Sequence, residues 1–169
     1  MSGLARLLRD RRGSAGAEMA FVAPMLLILM FGSIELGRYF WNEHVLVKGV
    51  RDASIFVSRQ DINKFSCDSG TIDGNVVTAA RNLVRTGQMS GGTDLLPHWT
   101  DAGADITLTL TCVTSAGGTT LGGIYTANAN KVPVLSIAAA VPYNTVMKGY
   151  GLKGTLTLRA NEQAAVMGI

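Results

Sequence analysis

RRGSAGAEMAFVAPMLLILMFGSIELGR, Arg11 to Arg38, is the segment from which the fold is read. It has a basic front, a long apolar run and one carboxylate, Glu18, at the edge of that run. Met19 through Ile34 carries no charge. With Ala15–Ala17, Glu18, Glu35 and Leu36 around it, a helix rising about 1.5 Å per residue reaches the roughly 30 Å needed to cross hydrocarbon. A cleaved secretory signal has a shorter apolar core, about 7–15 residues, and a small-residue cleavage site beyond it. No such site follows here. Glu35-Leu36-Gly37-Arg38 comes next, then more helix-compatible sequence, so a retained membrane helix is expected. Arg6, Arg9, Arg11 and Arg12 precede the run, and the positive-inside rule then keeps residues 1–13 cytoplasmic and exports the rest.

Charge and composition agree with an anchored, exported chain. Of 169 residues, 47% are hydrophobic and 16% charged, and the formal net charge is +3. Residues 1–13 hold four of the 15 Lys+Arg and one of the 12 Asp+Glu, so without them the remainder is neutral. No basic stripe lies downstream, which removes the electrostatic basis for nucleic-acid binding.

Two carboxylates and a proline punctuate the span. A carboxylate within the apolar zone costs about 2.5–3.5 kcal/mol on insertion scales and normally has a partner or a function. Glu18 either snorkels at the interface or serves a purpose. Pro24 reads as tolerated within a membrane helix, where it frees one carbonyl and bends the axis. That bend is a passive kink or an aid to leaving the bilayer. Glu35 lies three residues before Arg38, on the same helical face. The two make a solvated interfacial pair, or Glu35 meets a partner helix.

The order Gly13, four small residues, then Glu18 resembles a type IV prepilin signal, with cleavage after Gly13 and Ser14 as the new N-terminus. More narrowly, Glu18, Pro24 and Ile34-Glu35-Leu36-Gly37-Arg38 resemble the TadE-like family of tight-adherence (Tad or Flp, type IVb) pilus proteins. Met19 stands where that family usually has an aromatic residue. A second, weaker resemblance covers AAAVPYNTVMKGYGLKGTLTLRANEQAAV near the C-terminus. The resemblance implies a minor pseudopilin with a pilin-like fold, cut by a prepilin peptidase at Gly13–Ser14. It implies that Glu18 pairs with the freshly exposed amine of Ser14 when apolar helices pack in a filament. The implied partners are the major pilin, other minor pseudopilins, the prepilin peptidase and the inner-membrane platform proteins.

Beyond the span the helix continues to about Arg59, with Tyr39, Leu46, Val50, Ala53 and Val57 on one face. Asn42, Lys48, Arg51, Asp52 and Arg59 fill the polar side, and Gly49 weakens the helix locally. Tyr39 and Trp41 fall at the height of an aromatic interfacial belt. DINKFSCDSGTIDGN is a polar break. A second helix is predicted over Asn75–Gly87, with Asp73 as cap, Gly87 as stop, and Val76, Val77, Ala80, Leu83 and Val84 on one face. MSGGTDLLPHWTDAG and SAGGTTLGG read as loops. Strands are predicted over Ala104–Val113, over Val132–Tyr143, where Pro133 indicates an edge or a strand start, and over the LKGTLTLRANEQAAV stretch, with Leu156, Leu158 and Ala160 on one side. The expected fold class is α+β: a small antiparallel sheet laid on the helix stripe. The expected division is a leader at 1–13, a transmembrane helix at 14–37, a helix extension at 38–60 and a periplasmic α+β domain at 61–169.

Cys67 and Cys112 are the only cysteines. In an exported domain an even count favours a disulfide, about 3–4 kcal/mol for a loop of this length in the chain-entropy model. Two buried thiols are the alternative, and a metal site is not expected. His44 and His98 are isolated, no serine sits in a G-x-S-x-G setting, and the Gly-rich stretches lack a following Lys-Ser/Thr. The expectation is therefore a structural subunit with no cofactor, not an enzyme. The competing expectation is a permanently anchored periplasmic binding module or enzyme.

Overall fold

The computed structural model describes residues 14–97, 99, 105–114, 122–145 and 156–168. The first helix, α1, runs Ser14–Ser58 and contains Pro24 without ending there. Chain contacts divide the protein after Arg38, leaving an N-terminal unit and a second unit, Tyr39–Ile169.

In the N-terminal unit α1 is apolar on all sides. Its large side chains are exposed around the whole circumference, from Phe21 at 83% to Phe31 at 45%. In the second unit the same helix is amphipathic. Leu46, Val50, Ala53 and Val57 are fully buried, at the i, i+4, i+7, i+11 spacing that puts them in one stripe. Lys48, Arg51, Asp52 and Arg59 are exposed, and Lys48 pairs with Asp52 at 3.3 Å. The buried Ser54 and Ser58 hydroxyls donate back to the carbonyls of Arg51 and Ile55, so no polar group is stranded in the stripe. The helix ends on tightened turns, Arg59 N–H to Phe56 and Gln60 N–H to Val57. The carbonyl of Ser58 accepts the N–H of Met167 at 2.9 Å.

The polar break holds more structure than its composition indicates. A 3₁₀ turn at Ile62–Lys64 leads into a hairpin of two-residue strands, β1 (Phe65–Ser66) and β2 (Thr71–Ile72). Strands so short have no readable alternation, which is why this hairpin read as a simple break. Helix α2 spans Gly74–Thr86, within one residue of expectation. Asp73 accepts from the Asn75 and Val76 amides, and Gly87 closes the helix at φ 71° with its N–H on the Leu83 carbonyl. Val76, Ala80 and Val84 face the core, whereas Val77 and Leu83 are only partly buried.

Helices α1 and α2 meet at Gly49. A Cβ at this position would lie 2.7 Å from the carbonyl oxygen of Val84. The glycine thus permits a close crossing. Gly49→Ala gains about 1 kcal/mol of helix propensity but forces backbone apart, an overpacking cost of about 1–3 kcal/mol. Because the obstacle is main chain, the expected net is a loss of about 1–2 kcal/mol, read as a lowered urea midpoint.

The main sheet has the order β3 (Ile106–Val113), β4 (Val132–Tyr143), β5 (Leu156–Ala165), all antiparallel. Ala104 lies outside the described residues. Pro133 resolves as a strand start, and the edge alternative is corrected: β4 is the central strand. Pro133 sits opposite Cys112, and its carbonyl accepts the N–H of Val166. A missing donor is tolerated there because it falls at the second residue of the strand. The β4 residues Pro133, Leu135, Ile137, Ala139, Val141 and Tyr143 alternate inward with half-buried neighbours. Leu156, Leu158 and Ala160 do share one face of β5, opposite Tyr143, Val141 and Ala139, but only Leu158 is fully buried, while Leu156 is 52% exposed. One core joins the inner sheet face to the stripes of α1 and α2. The fold is α+β, a long N-terminal helix followed by a small antiparallel-sheet domain.

Candidate functional site

The expected site residues fall in two places. The first is the exposed apolar stretch of α1. Ser14 is the first described residue of α1, while Gly13 lies outside the described residues. Glu18 follows Ser14 by one helical turn, about 6 Å along the axis, and is exposed. Pro24, lacking an N–H, leaves the Ala20 carbonyl without its usual helical donor. Glu35 is half-buried, and Gly37 and Arg38 are exposed. A Cβ at Gly16, Gly32 or Gly37 would meet nothing within 4 Å.

Among the described residues, nothing covers this stretch. Its most apolar window is 0% buried, and the helix is long and apolar enough to span a membrane. A contiguous apolar surface of that extent exceeds what soluble monomers leave open. The 0% burial also separates it from the core helix of a soluble domain.

The second place is the disulfide. Cys67 and Cys112 are bonded, with Cα atoms 5.7 Å apart, and join the β1–β2 hairpin to β3. Beside it lies a residue the sequence reading did not single out. Asn128, 6% exposed, ends a 3₁₀ turn, Gly123–Asn128. Its Oδ1 accepts the Cys67 N–H at 3.2 Å, and its Nδ2 donates to the Ile62 carbonyl at 3.3 Å. These partners are 61 and 66 positions away, so no local pattern marks the residue. Asn128→Ala strands the buried Ile62 carbonyl and the part-buried Cys67 N–H and is expected to cost about 1–3 kcal/mol, measured as a lower thermal midpoint; serine should restore little, since it reaches only one partner.

An open cleft of about 460 Å³ lies over the Ala138–Ala140 stretch, with Asp105, Thr107, Arg159 and Asn161 among its walls. Its titratable lining is one carboxylate and one guanidinium, which makes no nucleophile–base pair. His44 is exposed on α1, and His98 lies outside the described residues. Among the described residues, no three His, Cys, Asp or Glu side chains gather as a metal would require.

These features define an α+β protein with one candidate membrane-spanning helix near its N-terminus and a disulfide-linked sheet domain after it. Residues 13–54 match the model of the TadE-like protein family, the stretch that holds Glu18, Pro24 and Ile34–Arg38. The match does not reach β4 and β5. No curated protein and no solved structure matches the chain.

Proposed function

We propose that the chain is a minor pseudopilin of a Tad-type pilus, a structural subunit and not an enzyme. In this reading a prepilin peptidase cuts after Gly13. The protein waits in the bacterial inner membrane with its sheet domain in the periplasm, then enters or primes the filament. Its partners are the major pilin, other minor pseudopilins and the inner-membrane platform proteins. The observation that carries the reading is an apolar helix that no described residue covers, matched to the TadE-like family, with Glu18 one turn after Ser14.

The physical logic joins the cut to the charge. Cleavage creates an ammonium on Ser14 and removes the arginines that resist withdrawal from the cytoplasmic face. Charges left unpaired in a low-dielectric helix bundle cost several kcal/mol each, so the Ser14 amine and a Glu18 carboxylate can set the register of packed subunits by compensating one another. The size of the sheet domain favours a minor over a major subunit, since the family resemblance implies much shorter major pilins. Intact-mass measurement of membrane-extracted protein tests the proposal. A chain beginning at Ser14 is expected. A chain beginning at Met1 or Ser2 in cells that make filaments overturns it, and leaves a permanently anchored periplasmic module.

A further inference from the structure

Within the second unit, α1 and the sheet are aligned. Tyr39, the first residue of this unit, meets Tyr143 at the end of β4 edge to face, with ring centroids 5.4 Å apart. At the other end of the unit the Ser58 carbonyl takes the Met167 N–H, next to the bond from Val166 to Pro133 at the start of β4. Helix and central strand thus run antiparallel along the same length. The Tyr39 end carries the β4–β5 edge of the sheet, and the opposite end carries Cys112, which pairs with Pro133.

Among the described residues, the Tyr39 end presents exposed apolar side chains. Phe40 packs edge-on against Tyr39 at 5.8 Å and is 54% exposed, and Trp41 is 72% exposed. Leu156, 52% exposed, lies directly across the ladder from Tyr143 and so on the same face. Helix and sheet therefore each contribute an exposed apolar group around one aromatic pair. Other exposed apolar side chains of the unit, such as Met89 and Val113, occur singly along the chain, as is ordinary for a surface.

We propose that this end of the sheet domain is a lipid-contact surface, in which Phe40, Trp41 and Leu156 enter the boundary between headgroups and acyl chains. The occupant follows from chain continuity: the cluster begins immediately after the uncovered apolar stretch of α1, where an interfacial belt of Trp and Tyr belongs. The new element is the sheet. Through Tyr143 and Leu156 the β4–β5 end is laid on the bilayer, which orients the whole domain and turns the Cys67–Cys112 end away from the membrane. This inference rests on the membrane-anchored reading.

The test uses the full chain in phosphatidylcholine vesicles containing lipids brominated either near the headgroup or near the bilayer centre. Trp41 emission is obtained by comparison with Trp41→Phe, which retains Trp99. The sheet end is read by adding Leu156→Trp to that variant. Both reporters are expected to lose about half their emission with shallow bromine and much less with deep bromine, the pattern of groups sitting about 5–10 Å into the interface. Failure of the protein to float with vesicles overturns the anchored reading and this proposal with it. Flotation with quenching at Trp41 but none at residue 156 leaves the helix belt and overturns the sheet contact. Flotation without quenching at either position assigns the cluster to water or to a protein partner, and overturns the proposal alone.

Discussion

Glu18→Ala is expected to remove this chain from sheared filaments while leaving its amount in the membrane fraction unchanged or raised. The two effects separate because the carboxylate has opposite consequences in the two settings. In the bilayer an acid near the apolar zone opposes insertion by up to about 2.5–3.5 kcal/mol, so alanine does not hinder anchoring. In a filament the loss of Glu18 strands the Ser14 ammonium among packed helices, at a cost of several kcal/mol. Each 1.4 kcal/mol is a factor of about ten, so incorporation should fall by roughly a hundredfold or more. Glu18→Gln, which preserves shape but not charge, should fail nearly as badly, and Glu18→Asp should retain part of the activity. Quantitative immunoblots of filament and membrane fractions decide the matter. Normal incorporation of the alanine variant would show that charge compensation is not what holds the subunit in place.

The second large effect concerns the disulfide. Replacing both Cys67 and Cys112 with alanine is expected to destabilise the sheet domain by about 3–4 kcal/mol, the loop-closure entropy that the bond removes from the unfolded chain. For a domain of this size that corresponds to roughly 10–15 °C in thermal midpoint. The bond has much to hold, because the hairpin it fastens is made of two-residue strands that contribute little by themselves. The double variant avoids the ambiguity of a single unpaired thiol. Calorimetry of the wild-type protein with and without reductant should reproduce the same shift, and an unchanged midpoint on reduction would show that native packing alone holds the hairpin to β3.

Much of the fold was legible because its signals are local. The α1 stripe of Leu46, Val50, Ala53 and Val57 is a helical period within a dozen residues, and it is buried as read. The α2 boundaries rest on Asp73 and Gly87, whose side-chain acceptor and backbone freedom act within one turn. The β4 limits coincide with expectation because every second residue from Pro133 to Tyr143 had to be buried. The cysteine pairing was likewise readable, because only one intrachain pair can form.

Other features depend on which elements become neighbours. Gly49 looked like a weak point in a helix, yet the backbone of Val84, far along the chain, lies where a Cβ would crowd it. Pro133 was compatible with an edge until strand order placed β4 in the middle. Asn128 carries no periodic signature, since its two partners, Ile62 before β1 and Cys67 in the β1–β2 turn, lie more than sixty positions away.

By itself, then, the sequence determined the apolar span with its flanking charges, the amphipathic continuation of α1, the capped second helix and the alternating strands. Each of these follows from hydrophobic spacing or from a side chain acting on its own backbone. Only the tertiary structure decided the helix crossing at Gly49, the central place of β4, the buried amide bridge at Asn128 and the meeting of Tyr39 with Tyr143. Those are contacts between distant segments, and their energy exists only after the chain has closed the loops between them.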